Sequence, residues 1–373
     1  MLFGIPKECP DGERCQEKRA GLSPGGVRDL VEAGAAVVVE SGAGAAAGFL
    51  DEVYRKAGAQ VVYSREEVFG RADVVVKVAA PSASEIMLMQ PGACVLAFWH
   101  MAVLWDTLQE QLKKAKITAI GYEVIQDEDG VLPVLRVSSE IAGMLAPQIA
   151  GRLLETEFGG IGVLLAGAPG IPPADVVIVG GGTLGFYAAR AFLGLCCSVH
   201  VLDISKKRLE LLDRFFEGRV VTAMATRENV EKFVSFADVV VGAVLHPGEV
   251  APIVVTQEMV RKMRPGRAIL DFSYDQGGCV ETTRLQGPTG GIFVREGVLH
   301  FAVPNSPSLV ARSATHAQTH AILPYVLGLQ AKGTARAIKE DGSLRSGCYL
   351  FEGHVVRPGF GAGVANLDEL LGG

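Results

Sequence analysis

The chain has no C-x-x-C pair, no block of basic residues, no internal repeat and no low-complexity tract. Each absence closes a class of function. Seven cysteines without a framework read as reduced thiols in a cytoplasmic protein. A formal charge of −6 with no basic stretch argues against a nucleic-acid partner. Charges arrive as early as Lys7 in MLFGIPKE, so no signal peptide is expected. The one long uncharged glycine-rich stretch, 158–174, is broken by Pro169, Pro172 and Pro173, and is too short to span a membrane. What remains is 373 residues, 49% hydrophobic and 20% charged, enough for two domains with full cores.

The most informative stretch is Asp175–Asp203, DVVIVGGGTLGFYAARAFLGLCCSVHVLD. An apolar run, Val176–Val179, leads into Gly180, Gly182 and Gly185, which fit G-x-G-x-x-G. A helical segment follows from about Thr183, and a second apolar run, Val199–Leu202, ends at Asp203. With 46 glycines in the chain, the glycine spacing alone would mean little. Strand, turn, helix, strand and terminal acid together predict a dinucleotide site. Gly180 permits the sharp turn, Gly182 lets a pyrophosphate approach the backbone, and Gly185 lets helix and strand pack closely. The helix start, at Thr183 and Leu184, offers unpaired N–H groups to phosphate. Asp203 is placed to accept the ribose hydroxyls, which favours NAD over NADP; Lys206, Lys207 and Arg208 keep NADP open. Ser139 and Leu245 complete the candidate cofactor set.

Elsewhere strands and helices alternate. Leu2–Ile5, Val37–Glu40, Val61–Tyr63, Asp73–Val78, Cys94–Phe98 and Ile117–Ile120 read as strands. Ser23-Pro24 opens a helix, and Ser138 or Ser139 is expected to cap a long one reaching about Thr156. After Asp203, strands are expected at Val220–Thr222, Val239–Val241 and Ala268–Asp271, and a second long helix over Val310–Leu329. The fold class is therefore α/β. Two Rossmann-like doubly wound domains are expected, with a dinucleotide-binding domain (136–309) inserted in a discontinuous substrate domain (1–135 and 310–373). Long helices link them. Ligands of such sheets sit at the carboxyl ends of strands, and the cleft between two of them is the expected site.

Four polar residues satisfy that rule. Arg19 lies in the charged loop after the first strand, with Arg14 and Lys18; Lys77 ends a buried strand; His100 ends the next; Asp275 follows the last. An arginine can grip a carboxylate bidentately, a lysine can polarise a carbonyl, and a histidine can pass protons near neutral pH. Each also fits a structural role: loop charge, strand-end snorkeller, core imidazole, helix cap. His316 and His320 stand at i, i+4 but lack an adjacent carboxylate, so no metal is expected. His246 is a weaker candidate near the nicotinamide.

The sequence resembles the alanine dehydrogenase family, within the alanine dehydrogenase/transhydrogenase α-subunit superfamily. The resemblance is carried by GIPKE (4–8), EKRAGLSPGGV (17–27), ESGAGAAAGF (40–49), VVKVAAP (75–81), SEIAGMLAPQIAG (139–151), GVLLAGAPGI (162–171), VLHPGEVAP (244–252), DQGGCVETT (275–283) and AVPNSP (302–307). It implies an NAD-dependent enzyme that interconverts an L-amino acid with its 2-oxo acid and ammonia. It also implies a homo-oligomer, hexamer or dimer. By the same resemblance, Arg19 and Lys77 bind the substrate carboxylate and carbonyl, His100 is the acid/base, Asp275 acts beside the nicotinamide, and Asn305 orients the substrate.

The chain departs from the family where Ser138 and Ser306 replace methionines, Arg136 replaces a small residue, and Trp99 precedes His100. The loop before Arg19 is also longer. Two serines in place of methionines imply a roomier, more polar pocket, suited to an acid larger or more polar than alanine. Neighbouring residues refilling the space is the competing reading. Two other functions fit many of the same residues: an opine- or imine-type reductase joining a 2-oxo acid to another amine, and a transhydrogenase α-like NAD-binding module.

Overall fold

The computed structural model describes residues 1–9, 16–284, 286, 290–360 and 363–372. Arg14 and Cys15 lie outside them. The chain forms two compact units, Met1–Ser138 with Pro307–Gly373, and Ser139–Ser306.

The first unit begins with β1 (Leu2–Ile5), β2 (Ala36–Glu40), β3 (Gln60–Val62), β4 (Val74–Ala79), β5 (Cys94–Phe98) and β6 (Thr118–Gly121), all parallel. The second holds β7 (Asp175–Val179), β8 (Ser198–Asp203), β9 (Val221–Met224), β10 (Val239–Gly242), β11 (Ala268–Asp271), β12 (Gly291–Arg295) and β13 (Val298–Ala302). The chain then returns to the first sheet with β14 (Cys348–Phe351) and β15 (His354–Val355). The strand orders are β15-β14-β6-β5-β4-β1-β2-β3 and β12-β13-β11-β10-β7-β8-β9. Both sheets are doubly wound. In the first, the winding reverses between β1 and β4; in the second, between β7 and β10. Those two switch points are where an open α/β sheet leaves a crevice for a ligand.

Strand periodicity explains the cores. On β4, Val74, Val76 and Val78 join one apolar cluster while Val75 joins the cluster on the other face. On β7, Val176 and Ile178 face one way, Val177 and Val179 the other. Both faces are covered, so the strands read as apolar runs, broken in β4 by Lys77 alone.

Several expectations change. The first long helix spans Pro133–Leu154, so Ser138 and Ser139 lie inside it rather than capping it. A proline is well suited to the first helical position, where its missing N–H costs nothing. The second long helix is Ala311–Lys332. Two hairpins lengthen the sheets beyond what the periodicity predicts. β12 pairs antiparallel with β13 around Glu296-Gly297, and β14 with β15 around Glu352-Gly353. All four turn residues have positive φ, the conformation of a two-residue type I′ turn. Cys94, Cys196, Cys197, Cys279 and Cys348 are free thiols, but Cys9 takes part in a disulfide bond, against the expectation of reduced thiols throughout. No helix among the described residues is long and apolar enough to cross a membrane.

Candidate functional site

In the first unit Lys77 lies near the carboxyl end of β4 and His100 just past that of β5, its neighbour in the sheet, and the segment that carries Arg19 packs against these two strands. The segment around Arg19 runs across β4: a Cβ on Gly21 would sit 2.1 Å from the carbonyl oxygen of Val76. Only glycine permits that approach. On its other side the segment is held by the helix Ala311–Lys332, through Ala20 N–H to Thr315 Oγ1 (3.1 Å) and Ser23 N–H to Thr319 Oγ1 (2.8 Å). Arg19 is buried. Its Nε and Nη2 donate to the two carboxylate oxygens of Glu17 (2.8 and 2.7 Å), and its Nη1 donates to Gln318 Oε1 (3.2 Å). The guanidinium is thereby fixed in plane.

Lys77 is fully buried near the end of β4. Its ammonium donates to Glu8 O (3.3 Å) and Glu85 Oε1 (3.4 Å), and lies 3.8 Å from Glu8 Oε2. Glu8 also accepts from Val78 N–H (2.7 Å) and Ala79 N–H (3.0 Å). Burial pushes the Glu8 carboxyl up to about 7, against the pull of Lys77. Glu85 completes a capping box at Ser82 and pairs with Arg65 at 2.6 Å.

His100 follows β5 with φ 46°, a left-handed conformation that costs a non-glycine residue roughly 1–2 kcal/mol. Glu123, just past β6, offsets this. Its carboxylate accepts from Trp99 N–H (3.2 Å), His100 N–H (2.8 Å) and the Tyr349 hydroxyl (3.0 Å). The imidazole stacks on Phe98 at 6.0 Å, and Arg19 lies over the same ring at 5.8 Å. The ring's Nδ1 is buried with no hydrogen-bond partner among the described residues. The ring is therefore not consumed by a structural Nδ1 bond, unlike His300. That imidazole bonds Thr282 Oγ1 and Val298 O, and burial lowers its pKa to about 4.

In the second unit the glycine turn lies at the β7/β10 switch point. Gly180 has φ 109°, and a Cβ there would meet Ala243 O at 2.4 Å. A Cβ on Gly185 would lie 1.9 Å from Gly180 O. Gly182 differs: its Cβ would meet nothing within 4 Å, the open space a pyrophosphate needs. Gly182 is also the N-cap of the helix Thr183–Gly194 and supplies no side-chain cap. The first N–H groups, at Thr183 and Leu184, are thus left to a ligand. Asp203 is buried and receives one backbone N–H on each oxygen, from Gly181 (2.7 Å) and Ser205 (2.7 Å), with Arg208 at 3.6 Å. Each oxygen keeps a lone pair for a ribose hydroxyl. The donor set fits a dinucleotide.

Asp275 sits in a single turn, Tyr274–Gln276, after β11, and accepts Asn305 N–H on both oxygens (3.0 and 3.1 Å). Asn305 has φ 51°. The turn is braced by Asp271, which burial raises above its usual pKa and which accepts from Ser273 and Val280 N–H and Thr283 Oγ1. Ser138 and Ser139 are half-buried on the long helix, Ser306 is buried, and Leu245 is exposed; none makes a side-chain hydrogen bond among the described residues. His316 and His320 are exposed, and the described residues contain no group of metal-ligating side chains.

Sequence reasoning missed Glu8, Glu17, Glu85, Glu123, Asp271 and Gln318. Glu8 and Glu123 follow β1 and β6 closely, so the strand-end rule would have found both. Nothing in the local sequence marks Gln318.

The family model "Alanine dehydrogenase/PNT, N-terminal domain" matches residues 4–142, and "Alanine dehydrogenase/PNT, C-terminal domain" matches 146–358. An alanine dehydrogenase of Methanococcus maripaludis is 41% identical over 361 residues, 95% of this chain and 94% of the relative. A solved L-alanine dehydrogenase superposes with a TM-score of 0.87 at 40% identity, covering 99% of both chains. A transhydrogenase from Sinorhizobium meliloti shares the fold, with a TM-score of 0.79 at 24% identity, covering 95% of this chain and all of that one. The chain belongs to the alanine dehydrogenase/PNT family.

Proposed function

We propose that this protein catalyses reversible, NAD-linked oxidative deamination of an L-amino acid to its 2-oxo acid and ammonia. The observation that carries the reading is Lys77 and His100 at the carboxyl ends of two adjacent strands, with Arg19 over the Phe98 ring on which His100 stacks. Arg19, held in plane by Glu17, anchors the substrate carboxylate. Lys77 donates to the carbonyl oxygen and stabilises the charge that grows there as ammonia adds. His100 gives a proton to the departing hydroxyl, so that water leaves and the imine forms; in the other direction it takes that proton back. Asp275, held by Asn305 N–H, is assigned to the substrate nitrogen. The nicotinamide, when bound, supplies or takes the hydride at the substrate carbon. Asp203 makes NAD the cofactor, since its carboxylate would face the 2′-phosphate of NADP. Residues 139–306 are assigned to the cofactor and the remainder to the substrate.

Relatives named alanine dehydrogenase set alanine as the reference substrate. Ser138 and Ser306 supply less bulk than methionines, so acids larger or more polar than pyruvate are accepted. With NADH and ammonia, such 2-oxo acids should give kcat/KM at or above that of pyruvate. Pyruvate leading a broad panel would remove the enlarged pocket, and silence with every 2-oxo acid would remove the proposed activity.

Gly182 gives a second expectation. Gly182→Ala meets open space at φ −71°, so its melting temperature should stay within a few degrees of wild type. The methyl group fills the pyrophosphate's approach, and NADH affinity by fluorescence titration should fall tenfold or more. Unchanged affinity would show that the cofactor does not cross this turn.

A further inference from the structure

The helix Ala311–Lys332 presents Thr315, Gln318 and Thr319 at helical spacing to the segment that carries Arg19, and all three are buried. Two are engaged by backbone: Thr315 accepts from Ala20 N–H and Thr319 from Ser23 N–H. Gln318 is different. Its Oε1 accepts from Arg19 Nη1 at 3.2 Å, which fixes which way round the amide lies. Its Nε2 is buried with no hydrogen-bond partner among the described residues. An amide donor left unpaired in the interior is costly, and native structures seldom keep one without a reason. Holding Arg19 needs only an acceptor, so the donor half of the amide is unexplained by the protein itself.

We propose that Gln318 is a substrate-binding residue whose Nε2 donates to the carboxylate anchored by Arg19. The inference rests on the reading of Arg19 as that anchor. Glu17 takes the Nε/Nη2 edge of the guanidinium, and Gln318 adjoins Nη1. Amide oxygen and nitrogen share one carbon, so an oxygen held beside Nη1 lies within reach of Nε2. Arginine and glutamine together present donors from two side chains to one carboxylate, and the buried amide is satisfied only when the acid is bound. The ligand class this selects is a free α-carboxylate, in the 2-oxo acid and the amino acid alike, whatever the side chain.

Wild type, Gln318→Leu and Gln318→Glu would be compared by steady-state NADH oxidation with ammonia and 2-oxo acids bearing apolar and polar side chains, alongside thermal melts. Leucine is close in volume and removes both halves of the amide. Glutamate keeps the acceptor for Arg19 and removes the donor. Both variants are expected to raise KM for every 2-oxo acid by tenfold or more, with kcat changed less than threefold and NADH affinity unchanged. Affinity restored in Gln318→Glu would make Gln318 only a positioning residue for Arg19 and overturn the proposal. A KM rise confined to acids with polar side chains would overturn it too, by assigning the amide to the side chain. Unchanged KM in an active enzyme sinks this inference alone. A wild type that oxidises NADH with no 2-oxo acid sinks the reading of Arg19 and this inference together.

Discussion

His100→Ala is expected to lower kcat by about 10²- to 10⁴-fold, the usual worth of a positioned acid/base, while NADH affinity stays at the wild-type value. The reason lies in how the ring is held. Nothing described bonds its Nδ1, yet its backbone is fixed by Glu123 and its face by Phe98. The protein invests in placing the imidazole without using that nitrogen. Alanine tolerates φ 46° poorly, so part of any loss could come from a relaxed backbone. His100→Asn separates the two effects, because asparagine adopts the left-handed region more readily and still lacks an imidazole. Both variants should be equally slow in single-turnover kinetics. Recovery of turnover in His100→Asn would assign His100 to backbone shape instead of proton transfer.

The switch-point logic shows how far sequence alone reaches here. Val74–Val76 and Val176–Val179 are buried on both faces, so their apolar runs read as strands of a covered parallel sheet. The two hairpins were obscure because each turns on Glu-Gly. Glutamate has no special liking for positive φ, and an Asn-Gly or Asp-Gly pair would have announced them. The helix opening at Pro133 was misplaced for a related reason: Ser138 and Ser139 look like caps, and only the tertiary structure shows five helical residues before them. The glycine turn was legible because each glycine answers a separate steric demand, from Ala243 O, from Gly180 O, or from empty space.

The residues that support the site were harder to read. Lys77 and His100 stood out because a polar side chain at the end of a buried strand conflicts with its surroundings, and Arg19 because its loop follows the first strand. Their partners did not, because a glutamate in a loop is ordinary until its position in space is known. Glu123 is 23 residues from His100, and Gln318 is 299 residues from Arg19. Such pairs are made by sheet order, and sequence spacing carries no trace of them. The same holds for Glu8, whose carboxylate reaches β4 from the end of β1 because those two strands are neighbours across the switch point.

Lys77→Met should destabilise the folded protein by about 3–5 kcal/mol at pH 8, the usual cost of removing one partner from a buried ion pair, and by much less at pH 6. Glu85 keeps Arg65 when the lysine is lost, but among the described residues Glu8 keeps two backbone N–H groups and faces Glu17. Unfolded, the Glu8 carboxyl loses its proton near 4.5; folded, near 7. Between those values the folded chain binds more protons, so this group makes stability fall as pH rises, and the loss levels off above 7. Lys77 is the cation that holds the folded value down. Without it the folded pKa moves above 7, and the falling window extends into the alkaline range. The gap between variant and wild type should therefore widen steadily from pH 6 to pH 9 in urea melts, with no change in slope against denaturant. Methionine fills most of the volume, so packing contributes a constant offset. A gap that stays flat across that range would mean that Lys77 does not keep Glu8 ionised, and that the buried charge is retained for the substrate alone.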